Sequence, residues 1–144
     1  MRIILRGKPI TKKNSQEIVL IGPPHKKRPI IVPSRKYKEY EESCLVQITG
    51  DKRLNIDYPV NVRCVYYTQT HQRVDLTNLL EATDDILVAA NVLADDRSTI
   101  VYSHDGSRVK YDKYDPRVEI EITEATDADR QMTFEETGHE DLLD

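Results

Sequence analysis

Tryptophan is absent from this 144-residue chain, phenylalanine occurs once, and there are only two cysteines and five glycines. Two cysteines cannot build a four-ligand zinc cage. Cys44 and Cys64 each stand in an apolar context, which predicts buried, reduced thiols rather than a disulfide. There is no Cys-x-x-Cys pair, no glycine-rich phosphate loop and no nucleophile elbow, so thiol-redox, P-loop nucleotide and serine-hydrolase chemistry have no foothold. No apolar run approaches the roughly 20 residues of a membrane span. The N-terminus, Met1 to Arg6, lacks the apolar stretch of a signal peptide. These absences predict a cytoplasmic protein with no membrane partner, of a length that allows one domain with a single core.

Charge is abundant and unevenly placed. Residues 1–38 carry eleven Lys or Arg against Glu17 alone, a net of +10, whereas residues 124–144 carry eight acids against Arg130, a net of −7. A basic arm is the electrostatic footprint of nucleic-acid binding, and an acidic end without an apolar period is a solvated tail. The division expected is a folded body over 1–123 and a disordered tail over 124–144.

Local patterning predicts an α+β fold, with a mixed, largely antiparallel sheet of four to five strands and two helices. Arg2 to Lys8 alternates as a first strand. Glu17–Ile21 and Ile30–Val32 read as a hairpin around Gly22-Pro23-Pro24. Ser34 is a good N-cap for a helix over Arg35 to about Thr49, closed by Gly50 and burying Tyr37, Tyr40, Cys44, Leu45 and Ile48. Pro59–Thr68 alternates with period two, as a central strand does. A second helix runs from about Leu76 to Ala90 on an apolar face of Leu76, Leu79, Leu80, Thr83, Ile86, Leu87 and Ala90. Asn78 with Glu81 forms a possible capping box that would start it a turn later. Thr99–Ser103 and Val118–Thr123 complete the strands, with turn chemistry at His104–Ser107.

The acids around that second helix carry the chemistry. Asp75 stands at its mouth, Glu81, Asp84 and Asp85 lie along it, and Asp95-Asp96 follow its end in a loop able to return toward Asp75. Like charges about 4 Å apart repel by roughly 4 kcal/mol at an effective dielectric near 20. Such a cluster is tolerated where solvent screens it, as a hydrated helix face, or where a divalent cation compensates it. Magnesium, held by one or two carboxylates and substrate phosphates, suits a chain with a basic arm. His71 reads as an exposed strand-end histidine, and His25, His104 and His139 lack partners at ligand spacing.

Residues 73–98, RVDLTNLLEATDDILVAANVLADDRS, resemble the core motif of the RusA family of Holliday junction resolvases, in particular its Gram-positive and phage-borne members. Asp75, Asn78, Leu79, Asp85 and Asp95-Asp96 fall in register with that motif. The likeness extends to Pro9-Ile10-Thr11-Lys12-Lys13-Asn14, to Pro33-Ser34 with Tyr37 and Tyr40, and to Ser103–Ser107 and Pro116–Ile120, which are similar to the family's C-terminal hairpin. Two positions depart from it: Thr77 replaces the family's second aspartate, and Glu81 its helix lysine.

The resemblance implies a homodimeric, magnesium-dependent (or manganese-dependent) endonuclease that resolves four-way DNA junctions in recombination and repair. Asp75 and Asp96 would be catalytic, and Asp75, Asp95, Asp96, Glu81 and Asp85 would hold metal, the last two covering for Thr77. Lys12, Lys13, Asn14, Lys26, Lys27, Arg28, Arg35, Lys36 and Arg73 would contact DNA, with Arg108, Lys110 and Lys113 gripping the flanking backbone. A junction-binding module with weakened or lost catalysis is the alternative. A protein-interaction module without a DNA role is the third.

Overall fold

The computed structural model describes residues 1–12, 16–71 and 73–126. Its elements are β1 (Arg2–Arg6), β2 (Gln16–Ile21), β3 (Arg28–Pro33), α1 (Arg35–Gln47), β4 (Val60–Thr68), α2 (Leu76–Ala89), β5 (Val101–Ser103), β6 (Arg108–Tyr111) and β7 (Arg117–Glu124). Among the described residues, no helix is long and apolar enough to cross a membrane.

The fold is α+β. A five-stranded sheet runs β1-β7-β4-β5, with β6 also on β4, and β2 and β3 form a separate two-stranded ribbon. β4 pairs antiparallel with β7 from Val60↔Glu124 to Tyr67↔Arg117, and β7 pairs antiparallel with β1. On its other edge β4 pairs in parallel, first with β5 and then with β6. β5 and β6 are therefore two pieces of one edge, interrupted by the His104–Ser107 turn. The expected C-terminal hairpin does not form: β4 lies between that edge and β7. Strand β6 has no counterpart in the sequence pattern, and Thr99 and Ile100 belong to a turn that precedes β5 rather than to the strand.

One face of the sheet is apolar. Ile3, Leu5, Val60, Val62, Cys64, Tyr66, Val118, Ile120 and Ile122 are buried there, in one cluster with Tyr37, Tyr40, Cys44 and Ile48 of the α1 region and Leu79, Ala82, Ile86 and Leu87 of α2. The Tyr66 hydroxyl lies 2.6 Å from Thr83 Oγ1, which itself donates to the Leu79 carbonyl at 3.0 Å. Thr83 spends its proton on the helix, so Tyr66 is the donor to it, a polar bond between sheet and helix inside the core. Both cysteines are free and buried; burial pushes the Cys44 thiol up to about 11 and the Cys64 thiol up to about 12.

Helix ends refine the sequence reading. Ser34 caps α1 by accepting from the Tyr37 N–H, as its type and place predict. That helix stops at Gln47, and Gly50 opens a short 3-10 turn instead of closing the helix. Asp75, not Asn78, caps α2. Asn91 takes the left-handed conformation (φ 59°) just beyond the Ala90 cap, where asparagine is among the few residues that tolerate it. In the ribbon loop Gly22 has φ 110°, and a Cβ there would lie 2.8 Å from the Lys26 carbonyl oxygen, so glycine is required. At the other end of the body, β7 passes Thr123, and the Ala125 N–H donates to the Pro59 carbonyl. The rest of the acidic tail, residues 127–144, lies outside the described residues.

Candidate nucleic-acid interface and carboxylate centre

The connection from β4 to α2 ends in Asp75, whose Oδ1 accepts from the Thr77 N–H at 2.9 Å. This bond satisfies one of the orphan donors of the helix start and fixes an exposed carboxylate at the positive end of the helix dipole. Immediately before it, Arg73 and Val74 form part of the wall of a cleft of about 600 Å³. The Arg6–Thr11 segment, the α1 residues Lys36, Glu39, Tyr40 and Ser43, and Leu79 of α2 complete that wall.

The cleft is basic. Among the described residues Lys8, Lys36 and Arg73 have no carboxylate partner, while the single acid, Glu39, is engaged by Arg35 at 3.2 Å. Arg6 is held by Asp115 at 2.5 Å. Three uncompensated cations around an open cavity give it a net attraction for anions.

The acids further along α2 are spent differently. Asp85 receives Lys12 Nζ at 3.0 Å, and the same ammonium lies 5.6 Å from the centre of the Tyr37 ring. Lys12, expected on DNA, is thus the partner of an expected metal ligand. Asp85 also stands about 15 Å along the helix from Asp75, at 1.5 Å per residue, so one ion with ligand distances near 2 Å cannot take both. The expectation that Asp85 joins Asp75 at one ion fails on that length. Glu81 is exposed on α2.

Asp84, outside the set of expected site residues, is the buried one. Its Oδ2 lies 2.9 Å from His104 Nε2, and His104 Nδ1 lies 2.9 Å from the Val62 carbonyl oxygen. A carbonyl only accepts, so Nδ1 carries a proton. Nε2 and Asp84 then share a single further proton between them. Burial lifts the Asp84 carboxyl above the usual carboxylate range; His104 pulls it back in part, and the charges of Asp96 and Asp85 add to the rise. Burial opposes charge on His104, but the bond and charge of Asp84, with the Val62 carbonyl, raise its pKa above the ordinary 6.5. Asp84 Oδ1 is buried without a partner among the described residues.

In the loop after α2, Asp95 Oδ1 accepts from the Asp96 N–H at 2.8 Å, and Asp95 Oδ2 lies 3.9 Å from Arg97. Asp96 is exposed, and its charge is felt at Asp84. Among the described residues no group of three or more His, Cys, Asp or Glu is placed to share a metal ion.

Of the residues expected on DNA, Lys36 and Arg73 line the cleft. Lys26, Lys27 and Arg28 are exposed at the tip of the β2–β3 ribbon, and Arg35 is paired with Glu39. Lys13 and Asn14 lie outside the described residues. Lys8 lines the cleft too, and the signal that would have singled it out is its place beside Pro9, at the end of the first strand. Compared with known proteins, the chain matches no family model, and no curated protein is similar to it at a significant level.

Proposed function

We propose that the chain is a DNA-binding protein whose basic cleft grips a phosphate backbone beside Asp75, and that it acts as a magnesium-dependent endonuclease on branched DNA. The observation that carries this reading is the position of Lys8, Lys36 and Arg73, uncompensated, around a cleft whose wall runs directly into the Asp75 cap. The start of α2 adds a helix dipole and free backbone donors, a recurrent setting for phosphate.

The donor chemistry fits a hard cation. Asp75 is an exposed carboxylate, and magnesium asks for only one or two such ligands with water and substrate oxygens. Bound there, the ion would activate water and neutralise charge on the scissile phosphate. The chain's own part is to position: Lys8, Lys36 and Arg73 hold the backbone, and the Thr77 N–H keeps Asp75 in one orientation. Asp85, tied to Lys12, is left to structure. The RusA-like motif adds a homodimer, whose two-fold axis presents two identical centres to two strands of a four-way junction, and a cytoplasmic setting.

A junction-binding module without catalysis is the second reading. It is favoured by the partnering of Asp85 with Lys12, which takes one carboxylate out of the expected metal set.

One assay separates the two. A synthetic four-way junction is titrated with the protein at low salt, then incubated with magnesium and scored for paired nicks. Binding with cleavage supports the nuclease, and binding alone supports the module. Lys36→Ala with Arg73→Ala should reduce the slope of log affinity against log salt by roughly 0.9 for each phosphate the protein no longer neutralises. An unchanged slope removes the cleft from the DNA surface.

A further inference from the structure

The β4–α2 connection borders a second hollow, of different chemistry. Thr68, the last residue of β4, pairs with Tyr111, the last of β6, and the Asp112 N–H donates to the Thr68 carbonyl at 2.9 Å. The Thr68 hydroxyl is within hydrogen-bond distance of two carbonyl oxygens, Thr70 at 2.9 Å and Lys110 at 3.2 Å, which pins the departing chain against the end of β6. Held this way, the His71 ring lies flat against Tyr111, with centroids 3.9 Å apart and planes 14° from parallel. Both residues are exposed, Tyr111 by 43%. The stack forms one side of a hollow of about 270 Å³, closed by Thr68, Thr70, Val109 and Lys110.

Aromatic pairs in proteins are usually covered, because their faces carry most of their apolar area. Here a parallel stack stands in solvent, with the part-exposed side chain of Val109 beside it and a cation at its rim. A ligand that satisfies all of these is a flat ring bearing an anion. His71 lies four residues before Asp75, so no more than about 14 Å of chain separates them. That length corresponds to about four base steps of a strand at 3.4 Å each. Within five residues the connection therefore offers His71 to the hollow, Arg73 to the basic cleft and Asp75 to the helix start.

We propose that the His71–Tyr111 hollow is a nucleobase site: an unpaired base of the strand held in the basic cleft stacks against this pair, with Lys110 beside its phosphate. This rests on the DNA reading and deepens it, since a branch point is where bases are free to leave the helix. Stacking of this kind tolerates any base, because every base has a flat face.

The test compares two oligonucleotides of equal length at low salt, one of thymidines and one of abasic sites, which share the backbone and differ only in the ring. Wild-type protein should bind the thymidine strand more tightly by roughly 5- to 150-fold, the usual range for one aromatic–base stack. Tyr111→Ala should erase that preference, and Tyr111→Phe, which keeps the ring, should retain it. Lys36→Ala with Arg73→Ala should weaken both strands equally. Equal affinity of the wild type for both strands overturns the base site and leaves the DNA reading standing. Failure to bind either strand overturns both.

Discussion

The start and the middle of α2 carry the same chemical group and put it to opposite uses. Asp75 is exposed, bonded to a backbone N–H, and borders a cleft in which Lys8, Lys36 and Arg73 have no carboxylate partner among the described residues. Nine and ten residues on, Asp84 is buried against His104 and Asp85 is bridged to Lys12, both neutralised by side chains that come from elsewhere in the fold. An acidic run in a helix is thus not one feature. What stands opposite each carboxylate decides whether it waits for a partner or already has one, and by that measure the start of the helix is the end left open.

The sharpest way to break this comparison is Asp75→Asn. Outer-shell partners of a bound ion already cost 10- to 100-fold when removed, so loss of a direct ligand should reduce junction cleavage by more than about 100-fold. Junction affinity, measured in the same titration, should hold or rise as phosphate repulsion is relieved. Equal loss of binding and cleavage would make Asp75 structural, like its neighbours along the helix.

The middle of the helix should respond in stability. His104→Ala leaves a buried carboxyl without its partner, a change of about 3 kcal/mol, visible as a fall in Tm on the order of 10 °C. Asp75→Asn should move Tm much less, because an N-cap asparagine serves nearly as well as aspartate.

Acidity offers a finer test of the same pair. His104 has a folded-state pKa above 6.5, so the native protein keeps a proton there that the unfolded chain releases. That contribution is complete below about 6.5 and is lost as pH rises through the raised value. The raised Asp84 has the same sign, its share being complete below about 3.8 and declining above it. Wild-type stability should therefore fall on alkalinisation from pH 6.5, and His104→Asn should flatten the curve. A wild-type profile no steeper than the variant's would break the assignment.

The smallest effect expected is that of Lys12→Met. Its bridge to Asp85 is short but partly exposed, with side chains 38% and 31% accessible, and such pairs contribute about 0–1 kcal/mol. A drop well beyond that, by thermal denaturation, would place Lys12 among the structural residues of the core rather than at its edge.

Much of this arrangement is legible in the chain because it rests on local signals. Period-two alternation marks β4, threes and fours mark α2, and Ser34 announces its helix. Strand β6 is not legible, because all four of its residues are exposed and no apolar alternation survives; only pairing with β4 makes it a strand. The Asp84–His104 and Lys12–Asp85 pairs span 20 and 73 residues, so neither leaves a spacing to read. Asp75 stands out as a site but not as the cap, since Asn78 and Glu81 offer a competing box one turn later. The basic clusters mark an arm, but composition does not distinguish a lysine in a cleft from one spent on an aspartate.

The interruption of the β5–β6 edge has a further consequence, for colloidal behaviour. An unbroken edge strand displays a ladder of unpaired N–H and C=O groups on which a neighbouring molecule can add its own strand. Here the ladder is cut after three residues by the His104–Ser107 turn, and it resumes over only four residues, Arg108 and Lys110 among them. Neither piece is long enough to template a stable addition, and the charges repel a second copy in register. The turn that brings His104 to Asp84 thereby also guards this edge of the sheet against growing from one molecule into the next.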